Sequence, residues 1–330
     1  MMAAPMKTCA RWFLLLVLCT PQLMAESTPP ADALIAAMKK SNLLNSPAKP
    51  FQMDVDFVVV TTVPVMGHLQ LNWAEKSRWR IDLTMMDYQL TQIRDGEREY
   101  RLRNSSFTPL RVQQLVGLLG FAADGEALEV KKVKHRNEQG LALTCFEVER
   151  QERKGITEEI CLQDSTGSIV SMSHKLPLNT VAKTLLSDYA DFEGYSYPRT
   201  LMIAENDRAV VKAKVAELKS VTFDEILLKP PTGALERRRC ENEKPPKPIK
   251  MPNPEFPPGD RGKGVNVNVV MAITVGSDGS VSDVVPMSEQ EGRLNDAAMA
   301  AVRRWKFEPA MCGNEPVVTD INVQVNFWTY

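Results

Sequence analysis

Nine prolines fall between Lys229 and Pro258, starting with the pair Pro230-Pro231. Each lacks a backbone N–H and has a fixed φ, so neither a helix nor a central strand can run through the stretch. The chain is thereby divided into a unit over residues 26–222, a connector over 223–258 and a unit over 259–330. Proline at this density favours extended polyproline II at about 3.1 Å per residue, a semi-rigid spacer. Its interleaved Lys244, Lys247 and Lys250 suit a second use, binding in an aromatic groove. A chain of 330 residues has room for two globular units.

Residues 1–25 read as a secretory signal. Lys7 and Arg11 give a basic start, Trp12 to Cys19 is apolar, Pro21 breaks the run and Ala25 is small enough for cleavage. The alternative is an uncleaved anchor, but spanning hydrocarbon takes about 20 apolar residues and this run is shorter. Lipid attachment at Cys19 would need a small residue before it, where Leu18 stands. The mature chain is expected to begin near Glu26. A net charge of -1 gives no reason to expect nucleic acid, whose binding needs a concentrated basic face.

Loss of the signal leaves Cys145, Cys161, Cys240 and Cys312 in an oxidising compartment, where cysteines pair. Leu141–Arg150 and Ile156–Gln163 read as two strands around a charged turn. If Arg150 faces Ile156, then Cys145 faces Cys161, and a directly opposed antiparallel pair is close enough for a disulfide. Cys240 and Cys312 remain for each other.

From Phe51 to Leu218 the pattern is antiparallel β. Arg80, Asp82 and Thr84 alternate with Trp79, Ile81 and Leu83, as in a sheet wet on one face, and Asp95-Gly96 marks a tight turn. One helix precedes the pattern and another interrupts it. Asp32–Lys40 carries Leu34, Ile35 and Met38 on one side. The second begins with Thr108 as N-cap and Pro109 as first residue, and presents Leu110, Leu115, Leu118 and Leu119. One arrangement is a half-barrel whose concave side the second helix covers; the other is a helix lying flat on a sheet.

Beyond residue 259 the order is strand, strand, helix, strand, an α+β unit. Val265 to Val275 alternates with polar residues, Gly276-Ser277-Asp278-Gly279 turns it, and Ser280–Met287 returns. Asn295 or Asp296 caps a helix carrying Leu294, Ala298, Ala301, Val302 and Trp305, which Pro309 stops. Thr319 to Phe327 alternates again. A unit of about 70 residues has a marginal core, so a Cys240–Cys312 bridge is useful to it.

Several ordered motifs make this stretch resemble the TonB C-terminal domain family. They are Asn253-Pro254-Glu255-Phe256-Pro257, the hairpin Ile273–Asp283, the run Val302-Arg303-Arg304-Trp305-Lys306-Phe307-Glu308-Pro309-Ala310, and the turn Gly313-Asn314-Glu315-Pro316-Val317. The resemblance covers residues 253 to 330. It implies that an extended segment of an outer-membrane transporter or other envelope protein adds to the edge of the small sheet. Asn253, Phe256 and Pro257 match the family's contact motif. Asp320, Asn322, Gln324 and Asn326 lie along the last strand, which has no proline to block pairing. The implied location is the periplasm. The family's energy transducers keep an N-terminal membrane helix containing a His, whereas here the apolar run is short and the histidines are His68, His135 and His174. The expectation is a docking module without the coupling anchor.

The first unit is similar, more weakly, to LolA-like periplasmic lipoprotein carriers. The early helix, the many strands, the apolar helix and Gly194-Tyr195-Ser196-Tyr197-Pro198-Arg199 carry this. Such a fold implies acyl chains held between sheet and helix; a plain β-rich interaction domain is the other reading.

Catalytic chemistry finds no footing. The histidines lack metal-ligand spacing, and Gly259–Gly264 lacks phosphate-loop spacing and a Ser or Thr after Lys263. Glu158 and Glu159 fall on opposite faces of a strand. No cofactor, metal or catalytic residue is expected. Two functions stand: an exported adaptor that docks to an envelope protein, and a carrier of lipid or another hydrophobic ligand that uses the C-terminal unit for docking.

Overall fold

A computed structural model describes residues 30–45, 49–120, 128–150, 155–175, 180–240, 242–257, 266–287 and 292–328. The signal reading over residues 1–25 and the Gly259–Gly264 segment lie outside these. Among the described residues no helix is long and apolar enough to cross a membrane.

The first unit opens with α1 (Pro30–Ser41), followed by β1 (Phe51–Val59), β2 (Val65–Glu75), β3 (Arg78–Met85), β4 (Tyr88–Asp95) and β5 (Arg98–Arg103). Then come α2 (Leu110–Leu119), β6 (Leu128–Glu138), β7 (Leu141–Arg150), β8 (Thr157–Gln163) and β9 (Ile169–Lys175). Three long strands complete it: β10 (Val181–Phe192), β11 (Tyr195–Glu205) and β12 (Arg208–Ser220). With β13 (Leu235–Arg238) they form one sheet in the order β13-β5-β4-β3-β2-β1-β12-β11-β10-β9-β8-β7-β6. Every pairing in it is antiparallel.

Alternation puts Phe51, Met53, Val55, Phe57 and Val59 on one buried face. The same core takes residues from the ten neighbouring strands between β4 and β7, with Leu34 and Met38 of α1 and Val112, Leu115, Leu118 and Leu119 of α2. Nine gaps of about 4.8 Å would make a flat sheet some 43 Å wide. Two helices, each about 10 Å across, cannot cover that width. Both helices share one continuous core with this face of the sheet.

Three local expectations are corrected. The Thr108 hydroxyl does not cap α2, because it accepts hydrogen bonds from Tyr88 Oη at 3.2 Å and Arg103 Nη1 at 3.3 Å; Pro109 holds the cap position. The last helix, α3 (Gly292–Val302), already contains Asn295 and Asp296, so neither caps it. The connector, expected as a semi-rigid polyproline spacer, instead carries two short strands. Its β13 adds to the edge of β5, and its β14 (Lys247–Lys250) pairs with β17 (Lys306–Glu308). Polyproline II and β backbone are both extended, and Pro248 is tolerated because β14 is an edge strand.

The C-terminal unit contains β15 (Asn266–Val275), β16 (Val281–Pro286), α3, β17, β18 (Ala310–Cys312), β19 (Glu315–Val317) and β20 (Thr319–Trp328). Its main sheet runs β16-β15-β20. Val269, Met271, Ile273 and Val275 pack with Leu294, Ala298, Val302, Trp305, Val325 and Phe327. Gly279 turns the β15–β16 hairpin with φ +75°, and its O accepts the Phe307 N–H at 3.0 Å. A Cβ there would stand 1.8 Å from the Phe307 carbonyl oxygen, so only glycine fits.

Candidate functional site

β20 is an edge strand. It pairs with β15 from Thr319↔Val275 to Trp328↔Asn266, and its other side carries no strand among the described residues. Alternation sends Val325 and Phe327 into the core and puts Asp320, Asn322, Gln324 and Asn326 on the opposite face.

Those four polar residues divide into two pairs. Gln324 and Asn326 bond to each other, Nε2 to Oδ1 at 2.8 Å. Asp320 and Asn322 instead face the first unit. Asp320 Oδ2 lies 2.8 Å from Arg101 Nη1 and 2.5 Å from Arg237 Nη1, while its Oδ1 accepts the Thr274 hydroxyl at 2.7 Å. Burial pushes this carboxyl up, but the hydrogen bonds and charge of Arg237, the Thr274 hydroxyl and the Arg101 charge outweigh it, leaving it below the usual aspartate value. Asn322 Nδ2 donates to Gln113 Oε1 of α2 at 2.9 Å.

The network extends into the connector. Buried Glu99 accepts from Arg101 Nη2 at 2.6 Å and lies 3.5 Å from Arg239 Nε. Arg239 Nη1 also donates to Glu243 at 2.8 Å and to the Thr319 hydroxyl at 3.1 Å. Burial works against the Arg239 charge, but Glu99 and Glu243 raise its pKa above the ordinary value. The next residue, Cys240, is disulfide-bonded to Cys312, and Cys145 is bonded to Cys161 at opposed positions of β7 and β8. Cys145, Cys161 and Glu159 are the metal-capable cluster among the described residues, and the disulfide occupies both sulfurs.

The Asn253–Pro257 segment lies across its own module. Trp305 Nε1 donates to the Pro252 carbonyl at 3.1 Å, and the Phe256 ring meets Phe327 edge-on at 5.4 Å. Pro257 is buried and Asn253 exposed. Phe256 thus helps cover the core beneath β20, and Asn253 and Glu255 are the members of the segment that face solvent.

A separate apolar cavity of ≈280 Å³ lies at the C-terminal end of α2, walled by Leu71, Trp73, Trp79, Ile81, Val116 and Leu119. Tyr197 fixes that end: its hydroxyl donates to the Leu119 carbonyl at 2.7 Å, and burial drives its pKa far above the ordinary value.

Sequence reasoning picked out Asp320 and Asn322 but missed what they meet. Glu99, Arg101, Arg237 and Arg239 left one trace, the run Arg237-Arg238-Arg239 inside a proline-rich connector.

Residues 252–329 match the family model for the Gram-negative bacterial TonB protein C-terminal. Protein TonB of Xanthomonas campestris pv. campestris is 33% identical over 78 residues, covering 23% of this chain and 35% of that protein. Protein TonB of Pseudomonas aeruginosa is 28% identical over 88 residues, 26% of this chain and 24% of that protein. The chain thus spans about a third of these relatives or less. Among solved structures, a LolA superfamily protein from Nitrosomonas europaea superposes with TM-score 0.44 and 8% identity over 61% of this chain and 98% of that chain. MucB does so with TM-score 0.30 and 11% identity over 78% and 77%. Residues 252–329 therefore match the TonB C-terminal domain family, on a chain whose preceding residues contribute one thirteen-stranded antiparallel sheet.

Proposed function

We propose that this chain is a periplasmic docking protein whose C-terminal unit, a strand–strand–helix–strand module, takes up an extended segment of an envelope partner by strand addition to β20. The partner class is a TonB-dependent outer-membrane transporter or another envelope protein, and the role relates to transport across the outer membrane without catalysis. One observation carries the reading: in a segment that matches the TonB C-terminal family, β20 pairs on one side only among the described residues. An unpaired edge offers a row of N–H and C=O groups to an incoming strand. The contacts of Asp320 and Asn322 with the first unit leave the half of β20 from Val323 to Trp328 as the more accessible landing site.

Calorimetric titration of the mature chain with a transporter-derived segment tests this. Neighbouring residues of a strand point their N–H groups to opposite sides, so of Val323→Pro and Gln324→Pro one removes an outward donor and the other a ladder donor. The variant that keeps its circular dichroism should lose binding; full affinity in that variant would remove the reading.

A second reading, a carrier of lipid or other hydrophobic ligands, is favoured by the apolar cavity beside Trp73 and Trp79. Apolar walls with few polar groups suit an acyl chain.

A further inference from the structure

The cleft between the two units contains a partly buried guanidinium, that of Arg103, with no direct ion-pair partner among the described residues. A cavity of ≈420 Å³ is lined by Arg101, Arg103 and Thr108 on one side and by Ile273, Asp320 and Asn322 on the other. A neighbouring cavity of ≈370 Å³ shares Arg101, Arg103, Ser106 and Asp283 and adds Ser105 and Arg237. Arg103 borders both spaces. Of its guanidinium donors, Nη1 meets the Thr108 hydroxyl at 3.3 Å and Nη2 the Ser106 carbonyl, both neutral acceptors. Among the described residues no carboxylate forms an ion pair with it.

Three of the nearby acids, Asp320, Glu99 and Glu243, are engaged by other arginines. Asp320 is engaged by Arg101, Arg237 and Thr274. Glu99 is shared by Arg101 and Arg239, and Glu243 is held by Arg239. Asp283 lines both cavities from an exposed position and forms no ion pair among the described residues. Arg101 Nε is buried and also has no partner. Burial pulls the Arg103 guanidinium below its ordinary pKa; Asp320 opposes this, and Arg101 and Arg237 reinforce it. A guanidinium presents five N–H donors in a rigid fork, so Arg103 keeps donors available.

We propose that this cleft is a binding site for a small amphiphilic anion, with its carboxylate or phosphate held by Arg103 beside Arg101 and its apolar body on Leu90, Phe107, Val116 and Ile273. The chemistry is complementary on both counts. A charge-assisted bond to a partly buried guanidinium is about twice as strong as a neutral one. The apolar side chains come from both units, so an occupant bridges them: Leu90, Phe107 and Val116 belong to the first unit and Ile273 to β15. The site uses side chains of the cleft and not the backbone edge of β20, so it stands or falls independently of strand docking.

The test is a titration of the oxidised mature chain with hexanoate, hexyl phosphate and inorganic phosphate, reading the arginine Nε–Hε resonances by NMR. The expected result is a saturable shift of the Arg103 resonance with at least one of the two hexyl probes. Arg103→Gln should then bind that probe at least tenfold more weakly, Arg103→Lys should fall between, and the exposed control Arg208→Gln should match the parent. Preference for hexanoate or for hexyl phosphate names the anionic group. Inorganic phosphate binding as tightly as hexyl phosphate overturns the apolar half of the proposal, leaving a free-anion site. Saturation with no Arg103 shift, or no saturation by any probe, overturns it entirely. The parent's resonances decide the matter even where Arg103→Gln fails to fold.

Discussion

Asp320 and Arg237 sit 2.5 Å apart, carboxylate oxygen to guanidinium nitrogen, although one lies near the start of the last strand and the other lies in the proline-rich connector. Arg101 of β5 completes the contact from the first unit. An extended connector would ordinarily let two units tumble apart; here it is paired to a strand of each.

Asp320→Ala should loosen the units and destabilise the chain by about 1–3 kcal/mol, because it leaves two partly buried guanidiniums short of an acceptor. The pH dependence has a definite sign. The folded carboxyl lies below its ordinary value, and the unfolded one titrates near about 3.9. Its contribution is complete above the unfolded value and is lost as pH falls through the folded one. Urea melts of parent and Asp320→Asn should therefore converge below about pH 4; a gap that persists unchanged into acid would contradict the assignment.

Reduction should cost stability at both bridges, more at the longer loop. Cys240–Cys312 closes a separation of 72 residues and Cys145–Cys161 one of 16. The chain-entropy model gives about 4 kcal/mol and about 3 kcal/mol respectively. Non-reducing peptide mapping should link these pairs and no others. Thermal melts of Cys240→Ser with Cys312→Ser should then fall below those of the other double variant.

Gly279→Ala should destabilise the C-terminal unit by about 2 kcal/mol or more, since the backbone is left-handed there and the new methyl meets the Phe307 carbonyl. Gly292→Ala is the control, because nothing stands within 4 Å of its added Cβ. Urea denaturation of the full chain separates them, and equal midpoints would count against the turn geometry.

The carrier reading has its own variant. Gly117 lines the apolar cavity, and a Cβ added there meets nothing within 4 Å. Gly117→Phe should fill the space without unfolding α2. Native mass spectrometry should find a lipid-sized adduct on the parent and none on this variant; an adduct surviving in folded Gly117→Phe would move the ligand elsewhere.

How much of this could be read from sequence follows the range of the interactions. The Cys145–Cys161 pairing was legible because one local turn fixes the register of β7 and β8. The β15–β16 hairpin and the alternation of β20 were legible for the same reason. β10 was not: Leu186 is its sole fully buried residue and Asp188 has φ +56°, so no alternation marks it. The inter-unit contact was out of reach because Arg101, Arg237 and Asp320 meet through tertiary packing, and a charged residue on a strand reads as solvated until its neighbour is known. The connector misled in an instructive way. Its prolines specify extended backbone but do not say whether a strand lies alongside.

The central claim is that a partner strand adds to β20, and amide hydrogen exchange reads that edge directly. With a transporter-derived segment bound to the oxidised chain, alternate amides between Val323 and Trp328 should become strongly protected, while amides already bonded to β15 change little. Protection confined to the Asn253–Pro257 segment, or no change along β20 at saturating segment, would contradict the account.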